Sequence, residues 1–437
     1  MDLLVGIVLV LGIMILVHEF GHFAVARLFG VRVDVFSIGF GPRLFGWKRG
    51  ATDYRVSLLP LGGYVRMAGQ DFGEDRTGAP DELVSKPRWQ RAFVAFAGPF
   101  VNLVFPVLLL AGFFMFVGLP HFSFLDQPVQ VVAALPANAS VETPLRAGDR
   151  ILFLNGTPNP TWEQAQNIIS EAAPGSTLKF EAENNGARRS LEIPVKDNEQ
   201  KRRLLGYAPI RPVVDEVLPG MPAYRAGLRE GDRILAVDGM KIESWGQFVD
   251  AVKHSNGRRL AVEVQRNGQI VRLDLTPQQG PNEAGETVWQ IGVLGAEDLT
   301  YKRVGVVEGT RYALVMTSSG IEQVFGVVAK LFSGRVSVKQ LQSFVGISRE
   351  AGQAVRKGPF AVISLMAVIS VNLGILNLLP IPILDGGHIL LLAIESFLRR
   401  DLSMAFKERF VQVGFVFLLV LFGYVMYNDV VRMLPPR

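Results

Sequence analysis

Ile15-Leu16-Val17-His18-Glu19-Phe20-Gly21-His22-Phe23-Ala24-Val25-Ala26 lies inside one apolar run near the N-terminus. Its reading decides the fold class. On a helix, residues i and i+4 share a face, so His18 and His22 point the same way. Two imidazoles so placed can hold one Zn²⁺, with Glu19 beside them to take a proton from water. Charged groups in a membrane helix cost about 2.5–3.5 kcal/mol each on insertion scales. A sequence that keeps three ionisable side chains there has a use for them. The alternative is an inert set, solvated at the cytoplasmic end of the helix.

Outward from this stretch, residues 1–28 are expected to form the first transmembrane helix. The start has no basic leader segment, and no small-residue cleavage site follows Val17, so the helix is read as retained. Further spans are expected at 93–117, 360–386 and 408–428, each near the roughly 20 apolar residues that cross a bilayer. Apolar residues make up 49% of the 437 and charged residues only 19%, which suits this class. The fold expected is a polytopic α-helical membrane protein with four transmembrane helices and two β-rich domains inserted between the second and third.

Lys and Arg set the orientation. The loop 29–92 carries Arg43, Lys48, Arg49 and Arg55 among others, and the loop before the last span carries Arg399, Arg400 and Lys407. Both fall on one side, which is therefore cytoplasmic. The net charge of +5 is taken up largely by these flanking segments, so nucleic acid is not expected as a partner. The chain has no cysteine, so any metal must be held by His and carboxylates.

The long stretch between the second and third spans repeats itself. Leu145-Arg146-Ala147-Gly148-Asp149-Arg150-Ile151-Leu152 returns 83 residues later as Leu228-Arg229-Glu230-Gly231-Asp232-Arg233-Ile234-Leu235. Asn155-Gly156 returns as Asp238-Gly239, and Trp162 as Trp245. Alternating runs such as Leu260–Val264 between Gly-containing pairs read as strands joined by tight turns. Two modules are expected, at 122–209 and 210–296. They resemble PDZ domains, most clearly over Ala226–Gly239, and such modules offer a strand edge to peptide termini. Segment 300–355 is expected to be an amphipathic helical segment lying on the membrane or against the modules, because Ile321, Val324, Phe325 and Val328 share helical spacing around Glu322 and Lys330.

Catalytic zinc takes three protein ligands and keeps a position for water. The best third ligand stands in Asn377-Leu378-Leu379-Pro380-Ile381-Pro382-Ile383-Leu384-Asp385-Gly386-Gly387-His388, where prolines interrupt an apolar run before an acid. Asp385 is the expected ligand, with His388 its local competitor. Asn102 in the second span reads as structural. Tyr54–Met67 reads as a cytoplasmic hairpin turning at Pro60, whose edge could hold an unwound substrate through Val56, Leu58 and Tyr64; Asn377 is the other candidate for substrate contact.

His18-Glu19-Phe20-Gly21-His22 and the Asn377…Pro380…Pro382…Asp385-Gly386 segment together resemble the site-2 proteases. Gly39-Phe40-Gly41-Pro42, Pro60–Tyr64, Gly98–Asn102 and the tandem modules fit the bacterial members of that family. The resemblance implies His18, His22 and Asp385 as zinc ligands and Glu19 as catalytic base. It also implies hydrolysis of single-span membrane proteins within or beside the bilayer, usually after a first outer-side cut. The membrane would be the bacterial inner membrane, with the modules periplasmic. A membrane scaffold that tethers proteins through its modules, or a metal transporter, would be the rival; only one buried ligand cluster is legible, which disfavours transport.

Overall fold

The computed structural model describes residues 8–70, 78–133, 144–281, 287–296, 298–333 and 344–433. Two compact units emerge: residues up to Leu119 together with those from Lys302, and Pro120–Tyr301. A π-helical turn, Val8–Gly12, runs into α1 (Ile13–Leu28), followed by β1 (Val33–Arg49), β2 (Thr52–Met67) and α2 (Arg88–Phe116). The second unit opens with β3 (Leu119–Phe122), then β4 (Arg150–Leu154), β5 (Thr157–Pro158), α3 (Trp162–Glu171), β6 (Thr177–Asn184), β7 (Ala187–Pro194) and α4 (Asn198–Arg203). It continues through β8 (Val214–Val217), α5 (Pro222–Arg225), β9 (Arg233–Val237), β10 (Met240–Lys241), α6 (Trp245–Lys253), β11 (Leu260–Arg266) and β12 (Gln269–Leu275). The chain returns to the first unit with α7 (Val306–Phe332), α8 (Phe344–Lys357), α9 (Pro359–Asn377), α10 (Asp385–Leu398) and α11 (Met404–Met433).

In the first unit α2 is the hub. Its Leu110, Ala111, Phe113 and Phe114 pack with Ala313 of α7 and Ala367 of α9. Met14 of α1 joins Ala351 of α8 and Met366 of α9 in a neighbouring cluster. Burying each such large side chain contributes about 1.5–3 kcal/mol relative to water, and less relative to lipid.

Among the described residues, five helices, against the four spans expected, are by length and composition apolar enough to cross a membrane: Val10–Leu28, Arg88–Phe116, Val306–Lys330, Pro359–Asn377 and Met404–Tyr427. The fifth is α7, which the sequence reading laid on the membrane or against the modules from its helical apolar spacing around Glu322 and Lys330; residues 334–343 of that segment lie outside the described chain. The expected single span 360–386 is also corrected. It divides into α9 and α10, with 378–384 between them outside helical conformation. Pro380 and Pro382 remove two N–H donors and push their predecessors toward extended backbone, which ends α9. Ile383 sits at φ +80, a left-handed conformation that a β-branched residue adopts at a cost of about 1–3 kcal/mol.

The hairpin is larger than Tyr54–Met67. Its tight turn lies at Gly50-Ala51, between β1 and β2, and Pro60 falls inside β2 rather than at the turn. Both strands bend, so Val33–Ile38 is flanked twice. Phe36 faces Tyr54 and Val65, Ser37 faces Arg55 and Tyr64, and Ile38 faces Val56 and Gly63. Gly63–Met67 is therefore an edge, and Val56 belongs to an interior stretch. Val33, Val65 and Met67 close a small core with Ala26 of α1 and Val94 of α2.

In the second unit the repeat becomes two four-stranded sheets of like order, β5-β4-β6-β7 and β10-β9-β11-β12. Asn155 and Asp238 both take positive φ before a glycine, as do Asn185 and Asn267, which is what two-residue hairpin turns require. Thr161 caps α3 and Ser244 caps α6, each in a capping box with Gln164 or Gln247. Separate apolar cores, around Ile151 and Phe180 and around Ile234 and Phe248, lie under the two sheets.

Candidate active site

His18 and His22 occupy α1 and are 7% and 8% exposed. Their Nε2 atoms lie 3.2 Å apart. Asp385 Oδ2 stands 3.2 Å from His18 Nε2 and 3.5 Å from His22 Nε2. The three residues offer ligand atoms that all lie within 4.8 Å of one another. This arrangement needs three local devices.

The first is a close crossing of α1 and α2. A Cβ on Gly21 would fall 2.5 Å from Ala97 O, and one on Gly98 would fall 2.3 Å from His22 Nε2. Glycine at both points lets the imidazoles lie against the backbone of α2. The second is the seating of α10. A Cβ on Gly386 would meet Leu378 O and Leu379 O at 2.3 Å, and one on Gly387 would meet Ile381 O at 2.3 Å. The two glycines let the first turn of α10 sit on the 378–381 loop, and that contact aims Asp385. The third is tautomer control. His22 Nδ1 donates to Val94 O at 2.7 Å, which leaves Nε2 bare.

Asn102, expected as structural, lies beside the pair. It is fully buried, and its Nδ2 is 3.1 Å from His18 Nδ1 while its Oδ1 has no hydrogen-bond partner. Asn377 at the end of α9 places its Nδ2 3.4 Å from His18 Nε2. Glu19 Oε2 accepts the N–H of Val65 at 3.1 Å. That amide leaves β2 on the side away from β1, so the edge strand and the acid are joined directly.

These groups open onto a cavity of about 660 Å³ lined by Glu19, Tyr64, Val65, Asn377, Asp385 and His388 among others. His388 shares the cavity but not the ligand cluster, so Asp385 prevails over its competitor in geometry. Tyr64 lines the wall, its ring stacked on Phe40 and its hydroxyl bonded to Arg55. Val56 and Leu58 do not line it: Val56 is interior to the sheet and Leu58 is 52% exposed on the bend. The sequence reading placed them on the edge of a hairpin turning at Pro60, which does not reveal that β1 folds back between two stretches of β2. Beyond Asp385 the wall is charged. Glu395, 1% exposed, accepts from Lys407 Nζ at 2.5 Å and from the N–H of Leu402 at 3.0 Å, with Arg91 nearby. A polar wall of this kind lets water reach groups at membrane depth. No motif in the sequence announced Glu395 or Val65.

A His-Glu-x-x-His helix, a carboxylate from a broken span and a polar cavity between apolar helices define a membrane-embedded metalloprotease. Comparison with known proteins agrees: the profile of peptidase family M50 matches residues 6–421, and the chain belongs to that family, the site-2-type metalloproteases. It is 32% identical over 457 residues to the regulator of sigma-E protease RseP of Escherichia coli K12, spanning 98% of each chain. A regulator of sigma-E protease RseP of Salmonella typhimurium is 32% identical, and the protease RseP of Yersinia pestis 30%, each again over 98% of both chains. A solved PDZ domain from Listeria innocua aligns with 22% of the chain at 19% identity and a TM-score of 0.18.

Proposed function

We propose that this chain is a zinc-dependent endopeptidase that cuts a single-span membrane protein within or beside its transmembrane segment, after a first cut on the outer side. The observation that carries this is the convergence of His18, His22 and Asp385 on one point, with Glu19 on the same cavity wall. Two imidazoles and one carboxylate, with a fourth position left to water, is the donor set of catalytic zinc.

The tautomers fit that ion. His22 already offers a bare Nε2. His18 offers one as well once the Asn102 amide is turned end for end, an exchange of O and N that leaves the heavy-atom positions unchanged. The turn lets Oδ1 accept from His18 Nδ1–H and frees Nε2 as a ligand, while Nδ2 moves to the position where Oδ1 had no hydrogen-bond partner.

Zinc, when bound, polarises a carbonyl and lowers the pKa of water. The remaining work falls to the chain. Glu19 takes the proton from water and returns it to the leaving amine. A helical substrate hides its peptide bonds and must unwind before it is cut. The Gly63–Met67 edge beside Glu19 takes the unwound segment as an added strand, with Tyr64 and Asn377 against its backbone.

The Lys/Arg distribution supports placing the 29–92 loop in the cytoplasm, and the PDZ-like modules in the periplasm of a bacterial inner membrane. There the modules restrict which substrates approach. Because the chain has no native cysteine, single introduced cysteines at 179 and 48 and a membrane-impermeant thiol reagent test this; labelling of both from one side overturns it.

The deciding experiment is Glu19→Gln, co-reconstituted with a single-span reporter. Cleavage is expected to fall by about 10²–10⁴-fold, the usual contribution of a general base, with zinc per chain unchanged. Cleavage at the wild-type rate would end the assignment.

A further inference from the structure

Among the described residues, one other set of side chains gathers with metal-ligand geometry: His121, Asp126 and Glu163, whose donor atoms all lie within 4.8 Å of one another. His121 is on β3, Asp126 ends the single 3-10 turn Ser123–Asp126, and Glu163 is in the first turn of α3. All three belong to the second unit, apart from the protease site.

The imidazole of His121 sets this group apart from an ordinary acidic surface. Its side chain is only 10% exposed. Its Nε2 is buried and makes no hydrogen bond, although Asp126 Oδ2 is 3.1 Å away. The two atoms are in ion-pair contact without a hydrogen bond between them. A buried ring nitrogen without a hydrogen bond costs on the order of 1–3 kcal/mol. An ion between the three groups removes that cost.

The backbone that carries them is already fixed. The N–H of Trp162 donates to Gln127 O at 3.0 Å, and the rings of Phe124 and Trp162 meet edge to face at 5.8 Å. Thr161 caps the turn that holds Glu163. Thr300 Oγ1 donates to His121 O at 3.1 Å, and the N–H of Ser123 donates to Asp298 O at 2.9 Å. Asp126, with its side chain 62% exposed, leaves an open side through which an ion and its water can enter.

We propose that His121, Asp126 and Glu163 form a second divalent metal site, selective for zinc, which ties the turn after β3 to the start of α3. One imidazole with two carboxylates favours zinc over calcium or magnesium, which prefer all-oxygen sites. Three protein ligands leave the fourth position to water. The role is structural: the site holds the entrance of the first repeat module in one conformation.

The test uses the full chain in detergent, stripped with chelator and titrated with ZnCl₂ alone. The His22→Ala background removes the protease site, so any zinc still bound reports on this one. One equivalent is expected there, accompanied by a zinc-dependent rise in melting temperature. Both are lost in His22→Ala/His121→Gln. Asp126→Asn, at an exposed carboxylate, and Glu163→Gln, at a half-buried one, are expected to abolish the same equivalent. If His22→Ala binds no zinc, or if its zinc survives all three changes and is an adventitious ion only, the proposal is wrong. The protease assignment is read separately, from the zinc that wild type holds beyond His22→Ala.

Discussion

Ser370 on α9 donates a hydrogen bond to the main-chain carbonyl of Asn102 on α2 at 2.8 Å, both residues being fully buried. The bond fills a gap that the sequence creates. In a regular helix the Asn102 carbonyl would take the N–H of residue 106, but that residue is proline and has none. At membrane depth no water is there to replace it. Ser370 therefore ties α9 to the stretch of α2 that bears on His18. Ser370→Ala should destabilise the first unit by about 1–3 kcal/mol, the cost of a stranded buried acceptor. Thermal unfolding in detergent reads this, and a melting temperature unchanged by Ser370→Ala would mean that Asn102 finds another donor.

Gly98→Ala tests the helix crossing. The added methyl would lie 2.3 Å from His22 Nε2 and 2.9 Å from His18 Cε1, both in the ligand pair. Alanine is the better helix former by about 0.8–1 kcal/mol, so α2 itself should not suffer. Zinc per chain and cleavage are expected to fall together, while Gly112→Ala, with nothing within 4 Å of its methyl, changes neither. Normal zinc in Gly98→Ala would show that the pair tolerates displacement.

Val65→Pro separates the edge strand from the metal. The Val65 N–H serves Glu19 at 3.1 Å and not the β1 ladder, so proline removes that bond while sparing the pairing with Phe36. A hydrogen bond to a charged group contributes about 1.5–3 kcal/mol, equivalent to roughly a 10- to 150-fold loss of kcat. Zinc content should not move. Reporter cleavage at the wild-type rate would remove Gly63–Met67 from the mechanism.

The second unit offers a stability contrast. Asp232 is fully buried, and Arg266 grips it through Nε and a terminal nitrogen, both at 2.7 Å. Asp149, its counterpart in the first repeat, takes an amide hydrogen from Asn184 at 2.9 Å and one terminal nitrogen of Arg189 shared between its two oxygens, at 2.8 and 2.6 Å. Arg266→Met strands a buried carboxylate and should cost about 3–5 kcal/mol. Lys179→Met, in the exposed pair with Glu192 at 3.6 Å, should cost under about 1 kcal/mol. Hydrogen exchange of the β9 and β11 amides in the intact chain measures the first and of the β6 amides the second, and equal losses would contradict the burial argument.

What the sequence made legible follows from what is local. His18, Glu19 and His22 sit within one turn of helix, so spacing alone places them. Asp385 was legible because Pro380 and Pro382 break a span in front of an acid. The repeat was legible because Gly and Asn must return wherever positive φ returns, at Asn155 and Asp238 for instance. Hidden were the features made by distant chain: the fold-back of β1 that puts Val65 rather than Val56 on the edge, and the burial of Glu395 against Lys407 and Arg91. The helix at Val306–Lys330 reads in sequence as lying on the membrane or against the modules because Glu322 and Lys330 fall among its apolar residues; by length and composition it is also apolar enough to span, since two charges in a long apolar stretch do not forbid it.

Asn102 gives the last test, because its two polar groups do separable work. The backbone carbonyl belongs to Ser370, and the side chain to His18. Asn102→Leu keeps the first and deletes the second, so His18 Nδ1–H loses its acceptor in a fully buried place. Residues that orient a ligating histidine typically change metal affinity by about 10–100-fold, and a loss of that size is expected in competition with a chelator. Asn102→Asp keeps an acceptor at the same position and should hold zinc at least as tightly as wild type, since a carboxylate can only accept from His18 Nδ1–H. If Asn102→Leu and wild type hold zinc alike, Asn102 is a packing residue. If Asn102→Asp loses zinc as Asn102→Leu does, the amide acts through its N–H group and the orientation argued for His18 is reversed.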